Sequence, residues 1–196
     1  GLSVIITTFG VGELSAINGI AGAYAERAPV IHIVGTPTRN IQSSRALMHH
    51  TFADGEFNRF AAMHAHVTVA QTSLKDARHV PDQVDWIIEQ ALLHQRPVYI
   101  QIPEDMAGVP VSASNLQIRP TISHSKQHAA AASMEHVAQI LDRMYAAKQP
   151  MILVDGESRS LGILDEIDQL IKATGWPCWT AIFGKGLVNE ELPNVH

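Results

Sequence analysis

Two adjacent histidines, His49 and His50, are the side chains in this sequence best suited to move protons. Imidazole titrates near neutral pH, so two neighbouring rings could relay protons around a reacting group. Neighbouring helical residues point in different directions, so the pair can serve one pocket only from a loop or a helix end. Eleven of the 196 residues are histidine, so an adjacent pair could also arise by chance. Spacing alone leaves both interpretations open.

A glycine-containing segment at residues 7–13 follows an apolar run and precedes a helical pattern. Proteins of the α/β class bind ligands beyond the carboxyl ends of their strands, and free N–H groups at a helix start suit anions. Gly10 and Gly12 would let a ligand approach the backbone. However, Ser15 stands where a dinucleotide fingerprint needs its third glycine, and no Walker lysine follows. A tight turn without a ligand is the competing interpretation.

Three further motifs indicate little chemistry. His64 and His66 would share one face of a strand, but no carboxylate or thiol at ligand spacing completes a metal site. Gly184-Lys185-Gly186 is more typical of a turn than of a phosphate loop. Cys178 is the only cysteine, so an intramolecular disulfide is impossible, and the thiol has no obvious activating neighbour.

The elements that must position these residues alternate between strand and helix patterns, which predicts an α/β fold with a mainly parallel sheet. Apolar runs predict strands at residues 2–8, 30–35, 67–70, 97–103, 151–154 and 178–181. Helical periodicity predicts helices at 13–26, 81–94, 133–147 and 161–173, the third capped by Ser133. The first strand is expected to be buried.

Composition excludes several classes of protein. Apolar residues make up 46% of the chain, and the formal net charge is −5. A nucleic-acid-binding protein needs clustered positive charge, and binding to an anionic membrane needs a polybasic run; this sequence has neither. No apolar stretch is long enough to predict a spanning helix. A single thiol fits a reducing compartment.

Several segments together resemble thiamine-diphosphate-dependent pyruvate decarboxylases, most closely the fungal type. They are IITTFGVGELSAINGIAG at 5–22, VIHIVGTP at 30–37, HHT at 49–51, QRPVYI at 95–100 and GKG at 184–186. The likeness covers essentially the whole chain, in order and with consistent spacing. A match of this length is far more specific than any single short motif.

The resemblance implies the domain organisation. Residues 1–115 correspond to the C-terminal part of a parallel-sheet pyrimidine-binding domain, 116–132 to a linker, and 133–196 to the N-terminal part of an α/β central domain. The beginning of the first domain and the whole diphosphate-binding domain have no counterpart. The resemblance therefore implies an internal fragment of a longer chain.

The resemblance also implies an activity, the non-oxidative decarboxylation of pyruvate to acetaldehyde and CO2. His49 and His50 match the paired catalytic histidines, while Thr8 and Val11 match positions that bind the aminopyrimidine of thiamine diphosphate. The diphosphate and Mg²⁺ would be held by the absent domain, so no metal ligand is expected here. The glutamate that activates the cofactor lies upstream of Gly1 in that family, and Glu13 is not its counterpart.

Two alternatives remain open from the sequence. The substrate could be indolepyruvate or phenylpyruvate, since pocket volume decides among 2-oxo acids. The chain could also be a truncated, non-catalytic polypeptide that keeps only an association surface, for which the glycine-bearing helix is the candidate. The resemblance implies a cytoplasmic homo-oligomer, a dimer of dimers, with no nucleic-acid or membrane partner. We expect the 196 residues alone to be inactive and prone to aggregate.

Overall fold

A computed structural model of the chain describes residues 1–117 and 130–196. The chain divides into two compact units, Gly1–Ile122 and Ser123–His196, each with its own parallel sheet. Most of the predicted linker at 116–132 lies outside the described residues.

The described residues of the first unit form four strands, four α-helices and two short 3-10 helices, Glu104–Met106 and Ser114–Gln117. The strands are β1 (Ser3–Thr8), β2 (Val30–Thr36), β3 (Gln71–Ser73) and β4 (Val98–Pro103). The helices are α1 (Val11–Ala25), α2 (Arg39–Ser43), α3 (Asn58–His64) and α4 (Val80–His94). All strand pairs are parallel and the spatial order is β1-β2-β4-β3. The carboxyl ends of the strands therefore share one edge, where the turn into α1 lies.

The core of this unit lies between the inner strands and α4. Ile31, Val98 and Ile100 from β2 and β4 pack with Ile87 and Ala91 of α4. These apolar positions recur every three to four residues along α4, so one face of the helix is buried. Helix α4 ends at His94, and the left-handed backbone of the next residue, Gln95, caps its last turn before β4. This packing holds strands β2 and β4 against α4, beside the predicted site.

The second unit is smaller. It contains α5 (Ala130–Ala146), β5 (Ile152–Val154), α6 (Glu157–Leu161), α7 (Leu164–Thr174) and β6 (Cys178–Thr180). The two strands pair in parallel, and Val154, Ile171 and Cys178 form a small buried core. Burial raises the pKa of the Cys178 thiol, consistent with a packing role.

Several boundaries differ from the sequence-based predictions. The third strand lies at 71–73 rather than 67–70, and Ser133 is inside α5 rather than its cap. The helix predicted at 161–173 is α7 and begins at Leu164, because Leu161 ends a separate short helix, α6, at Gly162, whose backbone is left-handed (φ 69°). Strand β1 was expected to be buried but is mostly exposed, since it lies at the edge of the sheet. Within the described ranges, no helix is both long and apolar enough to cross a bilayer.

Candidate functional site

The turn from β1 into α1 lies directly against the loop that carries the two histidines. The backbone N–H of Val11 donates a hydrogen bond to the carbonyl of His50 at 3.0 Å. The ring of Phe9 lies 5.9 Å from that of His49 and 6.2 Å from that of His50. Two segments about forty residues apart in sequence thus meet at the carboxyl edge of the sheet. The structure brings together the residues that the sequence singled out.

Gly10 makes this contact possible. Its φ is 68°, in the left-handed region that disfavours residues with a side chain. A Cβ at this position would lie 1.8 Å from the carbonyl oxygen of His50. The histidine loop therefore packs onto bare backbone, and glycine is required both by conformation and by space.

The histidine loop itself has an uncommon backbone. His50 has φ 62°, and Arg45 and Ala53 also have positive φ. Such conformations are costly for residues other than glycine and are concentrated at functional sites. The two imidazole rings are exposed and pack edge-to-face, with centroids 4.6 Å apart. The loop thus presents both rings to solvent side by side, the placement that shared proton transfer needs.

Thr8 and Val11, the two positions predicted to contact a cofactor, flank the same turn. Both are exposed, and Val11 retains half of its accessible surface although it is apolar. An apolar side chain and a hydroxyl are thus presented to solvent at the end of β1. Such a pair suits a heterocycle with one apolar face and polar edges.

Two backbone donors at the start of α1 are used within the protein. The N–H of Gly10 donates to the carboxylate of Glu13 at 2.9 Å, and the N–H of Val11 donates to the carbonyl of His50 at 3.0 Å. Neither of these two N–H groups is therefore offered to an anion.

Glu13 was not selected from the sequence as a site residue, yet it is almost completely buried. Its second carboxylate oxygen accepts a 2.6 Å hydrogen bond from the hydroxyl of Tyr99. Burial raises the pKa of Glu13, and the hydrogen bonds from Tyr99 and Gly10 oppose that shift. In the sequence, the only signal that Glu13 holds the turn is its position just after Gly10 and Gly12 at the start of a predicted helix.

Two histidines complete a buried cluster around that carboxylate. His64 ends α3 and donates from Nδ1 to the carbonyl of Phe60 at 3.0 Å, with Glu13 Oε2 3.6 Å away. His32 on β2 lies within hydrogen-bond distance of the Thr7 hydroxyl, and its ring centroid is 5.0 Å from that of His64. The placement of His64 on a strand face with His66 was wrong, because a helix ends there.

The remaining candidates carry no site. Lys185 pairs with Glu190 at 2.6 Å on the surface, so residues 184–186 form a turn, the interpretation that the sequence favoured. Within the described residues, no group of three or more histidine, cysteine or acidic side chains is arranged to hold a metal ion.

Comparison with protein-family models identifies the two units. Residues 1–62 match the thiamine pyrophosphate enzyme N-terminal TPP-binding domain, and residues 137–196 match the thiamine pyrophosphate enzyme central domain. The first match contains both the glycine turn and the histidine loop. The chain belongs to the thiamine pyrophosphate enzyme family.

Relatives within this family are fungal pyruvate decarboxylases. The chain is 55% identical over its whole length to the pyruvate decarboxylase of Aspergillus parasiticus and 41% identical, over 98% of the chain, to that of Hanseniaspora uvarum. In each case the chain covers 34% of the relative. The chain thus spans about a third of the length of the relatives that it matches.

Solved structures of thiamine diphosphate-dependent enzymes share the fold. The 4-hydroxybenzoylformate decarboxylase of Rhodococcus jostii RHA1 superposes with a TM-score of 0.76 at 14% identity, covering 100% of this chain and 36% of its own. A putative thiamin diphosphate-dependent enzyme from Mycobacterium smegmatis gives 0.75 at 20% identity, covering 99% of this chain and 35% of its own.

Proposed function

We propose that these residues belong to a non-oxidative 2-oxo acid decarboxylase that converts pyruvate to acetaldehyde and CO2 with thiamine diphosphate. The observation that carries the proposal is the His49–His50 pair, held on a strained loop against the glycine turn. The names of the fungal relatives support pyruvate as the substrate.

His49 and His50 are the proposed proton-transfer groups. Both imidazoles are exposed, and the 4.6 Å separation of their rings lets both face one reacting group. The ring of Phe9 lies beside both imidazoles, with centroids 5.9 and 6.2 Å away. The rigid contact between the turn and the loop keeps the pair aligned, which is what efficient proton transfer requires.

The residues around the turn fit the aminopyrimidine end of thiamine diphosphate. The exposed apolar side chain of Val11 would pack against the ring, and Thr8 would offer a hydroxyl to its polar edge. When bound, the cofactor supplies the electron sink that decarboxylation of a 2-oxo acid needs. We propose that its diphosphate and Mg²⁺ are held by a further domain, outside these residues.

The test uses the full-length protein encoded by the gene, with thiamine diphosphate, Mg²⁺ and pyruvate. We expect it to release acetaldehyde, and we expect His49→Ala and His50→Ala each to lower kcat by about 10²- to 10⁴-fold. The matched control is His66→Ala, an exposed histidine outside the site. Equal activity in all three variants would refute the assignment of the pair.

The same assay separates the substrates. Indolepyruvate and phenylpyruvate are compared with pyruvate by kcat/KM, because a larger pocket would favour the aromatic acids. A preference for either one would replace pyruvate in the proposal.

A non-catalytic association role is the second candidate, and the exposed apolar surface of the first unit favours it. Val4 and Ile6 on β1 are 57% and 72% exposed.

We propose that the 196 residues alone do not turn over pyruvate, and that the active protein is a cytoplasmic homo-oligomer, a dimer of dimers. Turnover by the 196-residue chain with thiamine diphosphate and Mg²⁺ would contradict the first statement.

A further inference from the structure

Four polar side chains form a buried cluster beneath the histidine loop. Glu13, His32, His64 and Tyr99 are each at most 1% exposed, and they come from α1, β2, α3 and β4. Burying this many titratable groups is costly unless they are paired, so the cluster needs an explanation. Its contacts lead to the turn that supports the histidine loop.

The carboxylate of Glu13 is the centre of these contacts. One oxygen accepts from the N–H of Gly10, and the other accepts from the hydroxyl of Tyr99, to which the amide of Gln101 also donates at 3.3 Å. His64 lies 3.6 Å from the second oxygen. The carboxylate therefore ties the turn to β4, in the rigid middle of the sheet.

Two hydrogen bonds connect this carboxylate to the histidine loop through the backbone of the turn. The hydrogen bond to the Gly10 N–H fixes the backbone of Gly10, and the next peptide N–H, that of Val11, donates to the carbonyl of His50. If Gly10 turned, the N–H of Val11 would no longer point at His50. Since the loop packs on bare backbone at Gly10, a small rotation there would move both imidazole rings.

We propose that Glu13 is a positioning residue: its buried carboxylate, held by Tyr99, locks the Gly10 turn and so fixes the His49–His50 pair. The inference rests on the proposed function, because it assigns a role in the same site. The pKa of Glu13 is raised because the carboxyl group is buried away from water, which agrees with a structural role for it.

The decisive comparison is Glu13→Gln with Glu13→Met in the full-length enzyme. The Gln side-chain oxygen can still accept from the Gly10 N–H, whereas Met has the same length and cannot. We expect Glu13→Met to lower kcat by about 10- to 100-fold with little change in KM, since the proton-transfer groups are displaced and the substrate contacts remain. Glu13→Gln should recover most of the loss.

A second measurement reports on the turn without using activity. Hydrogen–deuterium exchange of the peptide covering residues 8–14 should be faster in Glu13→Met and close to wild type in Glu13→Gln. If wild type lacks decarboxylase activity, the proposed function fails, yet this exchange measurement still tests the lock. The matched control is Ile87→Val, a buried change in α4 away from the turn, which should alter neither the exchange of this peptide nor KM and kcat.

Three results would overturn the proposal. The first is that Glu13→Met keeps the wild-type kcat and exchange rate. The second is that Glu13→Gln loses as much kcat as Glu13→Met. The third is that Ile87→Val changes kcat or exchange as much as Glu13→Met does. If Glu13→Met does not fold, the double variant Glu13→Met/Tyr99→Phe removes the hydroxyl left without an acceptor and takes its place. If neither folds, Glu13→Gln decides alone: wild-type behaviour is expected, and loss of either readout refutes the lock.

Discussion

The backbone carbonyl of His50 occupies the space that a side chain at position 10 would need. We expect Gly10→Ala to destabilise the first unit by roughly 1–3 kcal/mol and to abolish decarboxylation, because the new methyl group displaces the histidine loop while φ is held near 68°. Thermal unfolding and steady-state kinetics of the full-length protein measure both effects. The matched control is Gly108→Ala, because no heavy atom of the described residues lies within 4 Å of the Cβ it would add. Similar losses in the two variants would contradict the steric argument.

His32 is the histidine whose titration the fold changes most clearly. Burial, with a smaller contribution from His64, lowers the pKa of His32 to about 4. The unfolded chain, with an ordinary histidine pKa near 6.5, therefore takes up this proton first, and the contribution of His32 to stability falls as the pH drops from about 6.5 to 4. The total loss is on the order of 3 kcal/mol. NMR titration of the imidazole should give a midpoint near 4, and a midpoint close to 6.5 would refute the prediction.

The histidine pair and the glycine turn are local patterns whose spacing alone left their roles open, and the resemblance of longer segments assigned those roles. The sequence did not predict that the two would touch, since that contact joins residues about forty positions apart. The buried cluster was missed for the same reason. Glu13 has the pattern of an ordinary acidic residue in a first helical turn, and only the fold brings Tyr99 and His64 to it.

At the scale of elements, periodicity predicted most helices and strands, and errors arose where neighbours override local preference. Strand β3 contains only the polar residues Gln71, Thr72 and Ser73, and in the part of the chain that the structure describes it lies at an edge of the sheet, next to β4. The strand was predicted at residues 67–70 instead, because those residues form the apolar run just before β3. The break between α6 and α7 was visible in Gly162, whose left-handed conformation ends a helix.

Helix α1 is apolar around much of its circumference, and Gly19 and Gly22 interrupt it. No heavy atom among the described residues lies within 4 Å of a Cβ added at either position. We expect Gly19→Ala with Gly22→Ala to strengthen the helix by about 1 kcal/mol per substitution. If α1 forms the proposed association surface, the added methyl groups should also raise the dissociation constant of the oligomer. Sedimentation of the full-length protein measures this, and an unchanged constant would exclude α1 from the interface.

At the scale of the whole molecule, the exposed apolar edge of the first unit governs the behaviour of the 196-residue chain. Among the described residues, strand β1 pairs only with β2, and Ile6 is 72% exposed. Exposed apolar edge strands pair with other chains, so we expect concentration-dependent aggregation that Ile6→Lys reduces. Leu47→Lys is the matched control, because Leu47 is 71% exposed but lies outside the sheet. Equal effects on light scattering would show that charge alone, and not the edge, is responsible.

The strand order also fixes when the sheet can form during synthesis. β1 and β2 can pair as soon as residue 36 has left the ribosome, but β3 has β4 as its partner and must wait for it. More than sixty further residues are translated between the end of β2 and the end of β4. The histidine loop is translated within that interval, well before Tyr99, whose hydroxyl donates to the carboxylate of Glu13. The hydrogen bond that holds the Glu13 carboxylate is thus among the last contacts of this unit that a newly synthesised molecule can form.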